Sequence, residues 1–314
     1  MTDVVLHPAI VAIAAAALAD APGVDSTDSV GPVDRQVHAG LLDEIVARRG
    51  PGALLEAGRH VDVVANEPLV LSLLNTDSPG LLFDKIDRLN RFLHSHHRHV
   101  VVRLDAEGAE LEHRSTTGPP PSPMESLFVC GLYLEMLARI GCHNLTCSFP
   151  HASTGPRDVF CDGAAEEVPG DGTGRWLFGW TTFDPTRPLP GLDDVLLRNL
   201  PTDLTDRSTT GQVEAVIRVD LSRSWRLAAV AGELAVSPRT LQRRLRDDGR
   251  PFTEIVRSAR VDAAKELLAD PNRTLTDVGY VTGFSDAAHF ARTFKTATGS
   301  TPSRWRAARA SPSD

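Results

Sequence analysis

The last hundred residues of this chain carry one helix-pair pattern twice, and that repetition limits the possible folds more than any other feature. The first copy reads Leu227-Ala-Ala-Val230-Ala-Gly-Glu-Leu234-Ala-Val-Ser237-Pro-Arg-Thr-Leu241-Gln-Arg-Arg-Leu245. The second reads Leu275-Thr-Asp-Val278-Gly-Tyr-Val-Thr-Gly283-Phe284-Ser285-Asp-Ala-Ala-His-Phe290-Ala-Arg-Thr-Phe294. Leucine, valine and serine recur at an offset of 48 (227/275, 230/278, 237/285); the offset then slips by one, so Leu241 and Leu245 match Phe290 and Phe294. Each copy predicts two short helices joined by a turn. Two such helix-turn-helix units in tandem can lay two helices into two grooves of one DNA duplex.

Charge supports that reading once the chain is divided. The whole chain of 314 residues is acidic, at −8. Residues 212–310, however, hold 15 Arg and 2 Lys against 11 acidic residues, a net of +6, and residues 1–211 hold the opposing −13. A basic module behind an acidic one is what is expected if only the tail meets phosphates. The length suits two domains. The Pro-, Asp-, Thr- and Ser-rich segment 200–211 marks the boundary, giving an N-terminal domain at 1–205 and a C-terminal domain at 212–310.

No apolar run reaches the roughly 18–20 residues of a membrane span, so no membrane partner is expected. Residues 10–19 are Ala-rich but no basic region precedes them, which argues for a short amphipathic or buried helix and against an export signal. Cys130, Cys142, Cys147 and Cys161 form no dense framework, as expected of reduced thiols in a cytoplasm.

The N-terminal half reads as α+β. Residues 20–36 read as a loop. Helical spacing runs over 37–49 until Gly50-Pro51-Gly52, and over 80–94 after Ser78-Pro79. Residues 69–74 are apolar, and 124–140 form the longest apolar helix. Residues 100–104 and 110–114, around a turn at Glu107-Gly108, predict a β-hairpin, and strands follow near 145–149 and 176–183. After the boundary everything reads helical: a helix at 212–219, the first pair, a linker helix at about 253–269, the second pair, and a last helix opened by Pro302.

In the first unit Ser237 is the expected N-cap and Pro238 suits the first turn. Leu241 and Leu245 face Leu227, Val230 and Leu234. Arg239, Gln242, Arg243 and Arg246 follow i, i+3, i+4, i+7 spacing and form the opposite stripe. Arginine pairs with guanine O6 and N7, and glutamine with adenine N6 and N7; a solvated charged face is the plainer alternative for any such stripe. In the second unit Ser285 is the expected cap, and Phe290 and Phe294 face inward. His289, Arg292 and Lys295 can face outward beside the small residues Ala287 and Ala288, with Arg292 the best contact candidate; His289 reads equally well as a plain surface histidine. The linker helix, about 24 Å long at 1.5 Å per residue, together with the width of the bundles it joins, separates the units by a distance comparable to the roughly 34 Å major-groove repeat.

These residues resemble the AraC/XylS family of bacterial transcription regulators. The resemblance covers about 212–309 and rests on Ser237-Pro-Arg-Thr-Leu-Gln-Arg-Arg-Leu245, on Gly249 with Pro251-Phe252, and on Arg260, Ala263-Ala264 and Leu267-Leu268. Its most specific parts are Gly283-Phe-Ser-Asp-Ala-Ala-His-Phe-Ala-Arg-Thr-Phe-Lys295 and Gly299-Ser-Thr-Pro-Ser-Arg-Trp-Arg306. It implies promoter DNA and RNA polymerase as partners, usually in activation, and places Arg239, Gln242 and Arg243 at base-contacting positions of the first reading helix and Arg292 at one in the second. Gly279 stands where the family often has alanine. More weakly, Leu54-Leu55-Glu-Ala-Gly58, the helix over 81–93 and Trp176 with Pro188-Leu189-Pro190 resemble the arabinose-type effector domain of one subgroup. The expectation is therefore a cytoplasmic regulator, with an N-terminal domain that binds an unknown small-molecule effector or mediates self-association, as in a homodimer.

Other chemistry was weighed on the residues. His94, His96, His97 and His99 crowd together, and Cys142-His143, Cys147 and His151 follow, but the spacing is not that of a structural zinc site, so no metal is expected. Gly170-Asp-Gly-Thr-Gly174 lacks the Lys-Ser/Thr of a phosphate loop. No nucleophile, base and acid fall at a recognisable spacing, so neither an enzyme nor a cofactor is expected. An enzymatic N-terminal half and a metal or redox sensor stand as the alternatives.

Overall fold

The computed structural model describes residues 7–20, 35–65, 67–93, 96–150, 155–161, 163–168, 172–185, 208–271 and 273–310. The chain divides into two compact units, Met1–Pro188 and Leu189–Asp314. The expected loop at 20–36 and boundary at 200–211 fall mostly outside the described residues, as do Pro188-Leu189-Pro190 and His151.

The first unit opens with α1 (Pro8–Ala19), which is a buried helix: Val11 and Ala14 have no exposed surface. It continues through α2 (Arg35–Arg49), α3 (Gly52–Glu56), a 3-10 segment (Ala57–Val64), α4 (Pro68–Leu74) and α5 (Pro79–Phe92). The Ser78 hydroxyl caps α5 by accepting the Leu81 N–H. A hairpin follows, β1 (His97–Leu104) and β2 (Gly108–Ser115), and then α6 (Pro123–Ile140). Helix α6 begins in a reciprocal cap, Ser122 Oγ with the Glu125 N–H at 3.1 Å and Glu125 Oε2 with the Ser122 N–H at 2.9 Å. It ends at Gly141, whose φ of 113° needs glycine.

Short strands complete the unit: β3 (Cys142–His143), β4 (Thr146–Phe149), β5 (Arg157–Cys161), β6 (Ala164–Ala165), β7 (Arg175–Gly179) and β8 (Thr182–Phe183). Six form an antiparallel sheet in the order β1-β2-β7-β4-β5-β6, and β3 pairs with β8. Helix α6 is the hub: Phe128, Cys130, Leu137 and Ile140 are fully buried. Its close approach to the preceding helices depends on two glycines. A Cβ on Gly58 would lie 2.3 Å from Gly131 O, and one on Gly131 would lie 2.5 Å from Leu54 O. Arg139 locks the same contact from outside, with both Asp62 oxygens at 2.8 and 3.0 Å and Glu135 at 2.6 Å. All four cysteines are free thiols, and Cys130 on α6 lies 3.7 Å from Cys147 on β4.

The second unit is helical among the described residues: α7 (Thr209–Val219), α8 (Leu227–Glu233), α9 (Pro238–Asp247), α10 (Phe252–Leu267), α11 (Leu275–Val281), α12 (Ala287–Thr298) and α13 (Pro302–Ala310). Helix α7 starts three residues before the expected 212, because the Ser208 hydroxyl caps it by accepting the Gly211 N–H at 3.0 Å. Val230, Leu241 and Leu245 pack with Ile217 and Ile255, and Leu227 and Leu234 close over them. The second helix pair has an aromatic core: Phe284, Phe290, Phe294 and Trp305 stand in successive ring contacts of 5.0, 5.8 and 5.8 Å.

Candidate nucleic-acid interface

Helix α9 presents the stripe expected of it. Ser237 accepts the Thr240 N–H at 3.1 Å, and Pro238 fills the first helical position. With Leu241 and Leu245 buried, the opposite face carries Arg239, Gln242, Arg243 and Arg246, all exposed. Among the described residues no hydrogen bond or ion pair engages any of the four side chains. Three basic residues elsewhere in the unit are tied down: Arg218 to Glu214 at 3.1 Å, Lys265 to Asp262 at 2.8 Å and Arg273 to Asp270 at 3.2 Å. Side chains held by a neighbouring carboxylate are neutralised; those on α9 keep both charge and donors available.

The second pair differs from expectation at its cap. Ser285 stands one residue too early. Asp286 caps α12, its Oδ1 accepting the His289 N–H at 2.7 Å, and that bond holds its carboxyl below the usual carboxylate range. The one-residue slip seen in the sequence therefore falls before the cap. Four residues separate α8 from α9 and five separate α11 from α12. Ala235 and Gly283, still 48 apart, both take positive φ, 53° and 85°, so the extra residue lies after that turn. Of the expected contact residues in this pair, Ala288, Arg292 and Lys295 are exposed. His289 is half-buried and turns back onto its own helix start: its ring packs edge-on to Phe284 at 5.5 Å, and Nδ1 lies 3.0 Å from Ser285 Oγ. These contacts tie the histidine ring to the turn.

A second feature escaped the sequence reading. The first unit encloses a cavity of about 190 Å³ between α1, α4, α5, α6 and the β1–β2 hairpin. Its walls are largely aliphatic, with polar groups at the hairpin, where His97, His99 and His113 meet Asn90 and Tyr133, and also at His7, His38, Glu125 and Glu135. His99 and His113 are direct cross-strand partners with ring centroids 4.7 Å apart, and both pack on Trp176, at 5.7 and 5.4 Å. Burial, with the neighbouring His97 adding to it, depresses His113 to about 3 against an opposing pull from Glu125. Burial likewise holds His99 well below the usual histidine range, with His113 adding to the effect. Both rings are neutral at pH 7. The sequence did hold a signal: Ala109, Leu111 and His113 alternate along β2 on its buried face. Along the sequence the crowding of His94, His96, His97 and His99 raises only the question of metal spacing, and His94 lies outside the described residues. Among the described residues no group of three or more His, Cys, Asp or Glu side chains is placed to hold a metal, and no helix is long and apolar enough to cross a membrane.

Comparison with known proteins places the tail. Residues 230–308 match the family model of a helix-turn-helix domain. The HTH-type transcriptional activator CsvR of Escherichia coli is 33% identical over 96 residues, covering 31% of this chain and 36% of the relative. The transcriptional activator AggR of Escherichia coli is 33% identical over 94 residues, covering 30% and 36%. The chain spans little more than a third of the length of these curated relatives. A solved structure of a DNA-binding transcriptional dual regulator from Escherichia coli K-12 aligns with 33% of this chain and 95% of its own, at 24% identity and a TM-score of 0.33.

Proposed function

We propose that this chain, a member of the AraC/XylS family through its C-terminal helix-turn-helix domain, is a sequence-specific regulator of transcription that answers to a small-molecule effector. The carrying observation is the face of α9, where Arg239, Gln242, Arg243 and Arg246 are exposed and unengaged on a helix whose other side is locked into a core. α8 with α9, and α11 with α12, act as two helix-turn-helix units. α10, 16 residues and so about 24 Å long, spaces them to read adjacent major grooves. Arg292, Lys295, Ala288 and the turn-bound His289 form the second, weaker contact surface. Activation through RNA polymerase is supported by the activator names of CsvR and AggR. The N-terminal unit, in the cytoplasm, supplies the effector site or a self-association surface.

Genome-wide mapping of bound sites with the full chain should return a shared motif, and footprints on it should protect two helical turns. Arg239→Ala and Arg243→Ala should each weaken specific binding by about 1–3 kcal/mol and relax preference at one base position. Lys265→Ala, which loses only an ion pair with Asp262, should bind like the parent. Unchanged preference in both arginine variants, or a single protected turn, would overturn the reading.

A further inference from the structure

We infer that the cavity in the first unit binds an uncharged aliphatic molecule of about ten non-hydrogen atoms bearing one hydrogen-bond-accepting oxygen, such as a medium-chain ketone, ester or alcohol, with its chain among α1, α4, α5 and α6 and its oxygen at the histidine wall. This rests on the reading of the N-terminal unit as the effector-binding half and names the chemistry of that effector.

Size comes first. At about 190 Å³ the space is modestly larger than the roughly 150 Å³ cavity that holds a benzene ring, and below the range of drug-sized ligands. Shape and lining come next. Ile10, Ile13, Leu73, Ile86, Leu89 and Met136 furnish aliphatic surface on several sides, which suits a methylene chain.

Charge then narrows the class. No Lys or Arg is among the described residues lining the cavity. Lys85, on the neighbouring face of α5, directs its ammonium to the carbonyls of Ser72 and Asn75 at 2.7 and 2.5 Å. The two lining carboxylates are engaged as well: Glu125 in the cap of α6 and Glu135 with Arg139. Among the described lining residues an anionic ligand would find no Lys or Arg, only histidines of which His99 and His113 are held neutral, and a cationic one no free carboxylate; either would lose its hydration on entry.

The polar end is set by His99. Its Nδ1 faces the Asn90 amide nitrogen at 3.1 Å and accepts that N–H, which leaves the ring proton on Nε2. Nε2 is buried and has no partner among the described residues. A buried donor without an acceptor is costly; this one has almost no surface on the cavity, so a ligand oxygen would relieve it with a small shift of the His99 ring toward that space. His113 cannot substitute at its Nδ1, which already lies 3.1 Å from Ser126 Oγ.

The test uses the full chain and three nine-carbon probes: 2-nonanone, nonanoate and nonylamine, at pH 7. Binding is read by calorimetry and by the fluorescence change expected because Trp176 packs against His99. The ketone should bind saturably at one site, with both ions at least about tenfold weaker. Leu89→Trp, which fills the cavity, should abolish ketone binding. His99→Phe keeps the ring volume, covers the case in which the filled variant misfolds, and should weaken the ketone about tenfold. Equal or tighter binding of nonanoate or nonylamine, no saturable ketone binding, or ketone binding unaffected by His99→Phe would overturn the inference. Affinity for the mapped DNA site, measured with and without each probe, separates the two claims. A bound ketone that leaves DNA affinity unchanged upholds the cavity chemistry and removes the effector role. A DNA response to nonanoate alone upholds the effector role and removes the neutral ligand.

Discussion

Gly283 and Ala235 sit in equivalent turns, both at positive φ, yet they differ in what surrounds them. A Cβ on Gly283 would lie 1.9 Å from Leu221 O, whereas Ala235 is exposed. Gly283→Ala should therefore cost about 2–4 kcal/mol, combining left-handed strain with a backbone clash. Ala235→Gly should be neutral or stabilising by up to about 1 kcal/mol. Urea unfolding of the two variants checks both. His113 makes a pH prediction. Folded, it stays neutral down to about 3; unfolded, it takes up a proton below about 6.5. The unfolded chain thus binds more protons between those values, so this stability is full above pH 6.5 and drains as pH falls toward 3, by up to about 1.4 kcal/mol per unit. Unfolding followed through Trp176, which His113 packs against, should show that slope between pH 7 and 5, and His113→Phe should reduce it, leaving the part that the buried His99 contributes.

Among the elements, α12 shows how far pattern alone reaches. Its inward Phe290 and Phe294 were legible from spacing, and both are buried. Its start was misplaced by one residue, because Ser285 and Asp286 are both good caps and only the backbone fixes which of them reaches a free N–H. Asp286→Ala should cost about 1 kcal/mol, and Ser285→Ala less than about 0.5 kcal/mol, by thermal unfolding; equal losses would restore the cap first expected. Helix α9 posed no such ambiguity, since Pro238 can only follow the cap. The hairpin was equally plain, with β1 and β2 on either side of a turn at residues 105–107, since the expected turn residue Gly108 already opens β2. Helix α6 was recognised as long and apolar. Its contact with Gly58 was not, because a glycine's reason lies in the chain that crosses it.

At the scale of the whole molecule, the division of charge governs behaviour in salt. Residues 212–310 carry +6 and the rest is strongly acidic, so DNA binding by the full chain should rest on few phosphate contacts from one module. Its affinity should still fall at least about a hundredfold between 50 and 200 mM salt; a flat dependence in gel-shift titrations would deny the phosphate contacts. The sequence by itself determined the helical tail, its repeat and its basic stripe, because helix periodicity, caps and charge are local properties that neighbours along the chain already express. Tertiary structure alone decided the cavity and its histidine wall. His99 and His113 are ordinary residues in separate strands until the hairpin pairs them and α6, Trp176 and Asn90 remove them from water, and burial of that kind is written in contacts between distant segments rather than in any one of them.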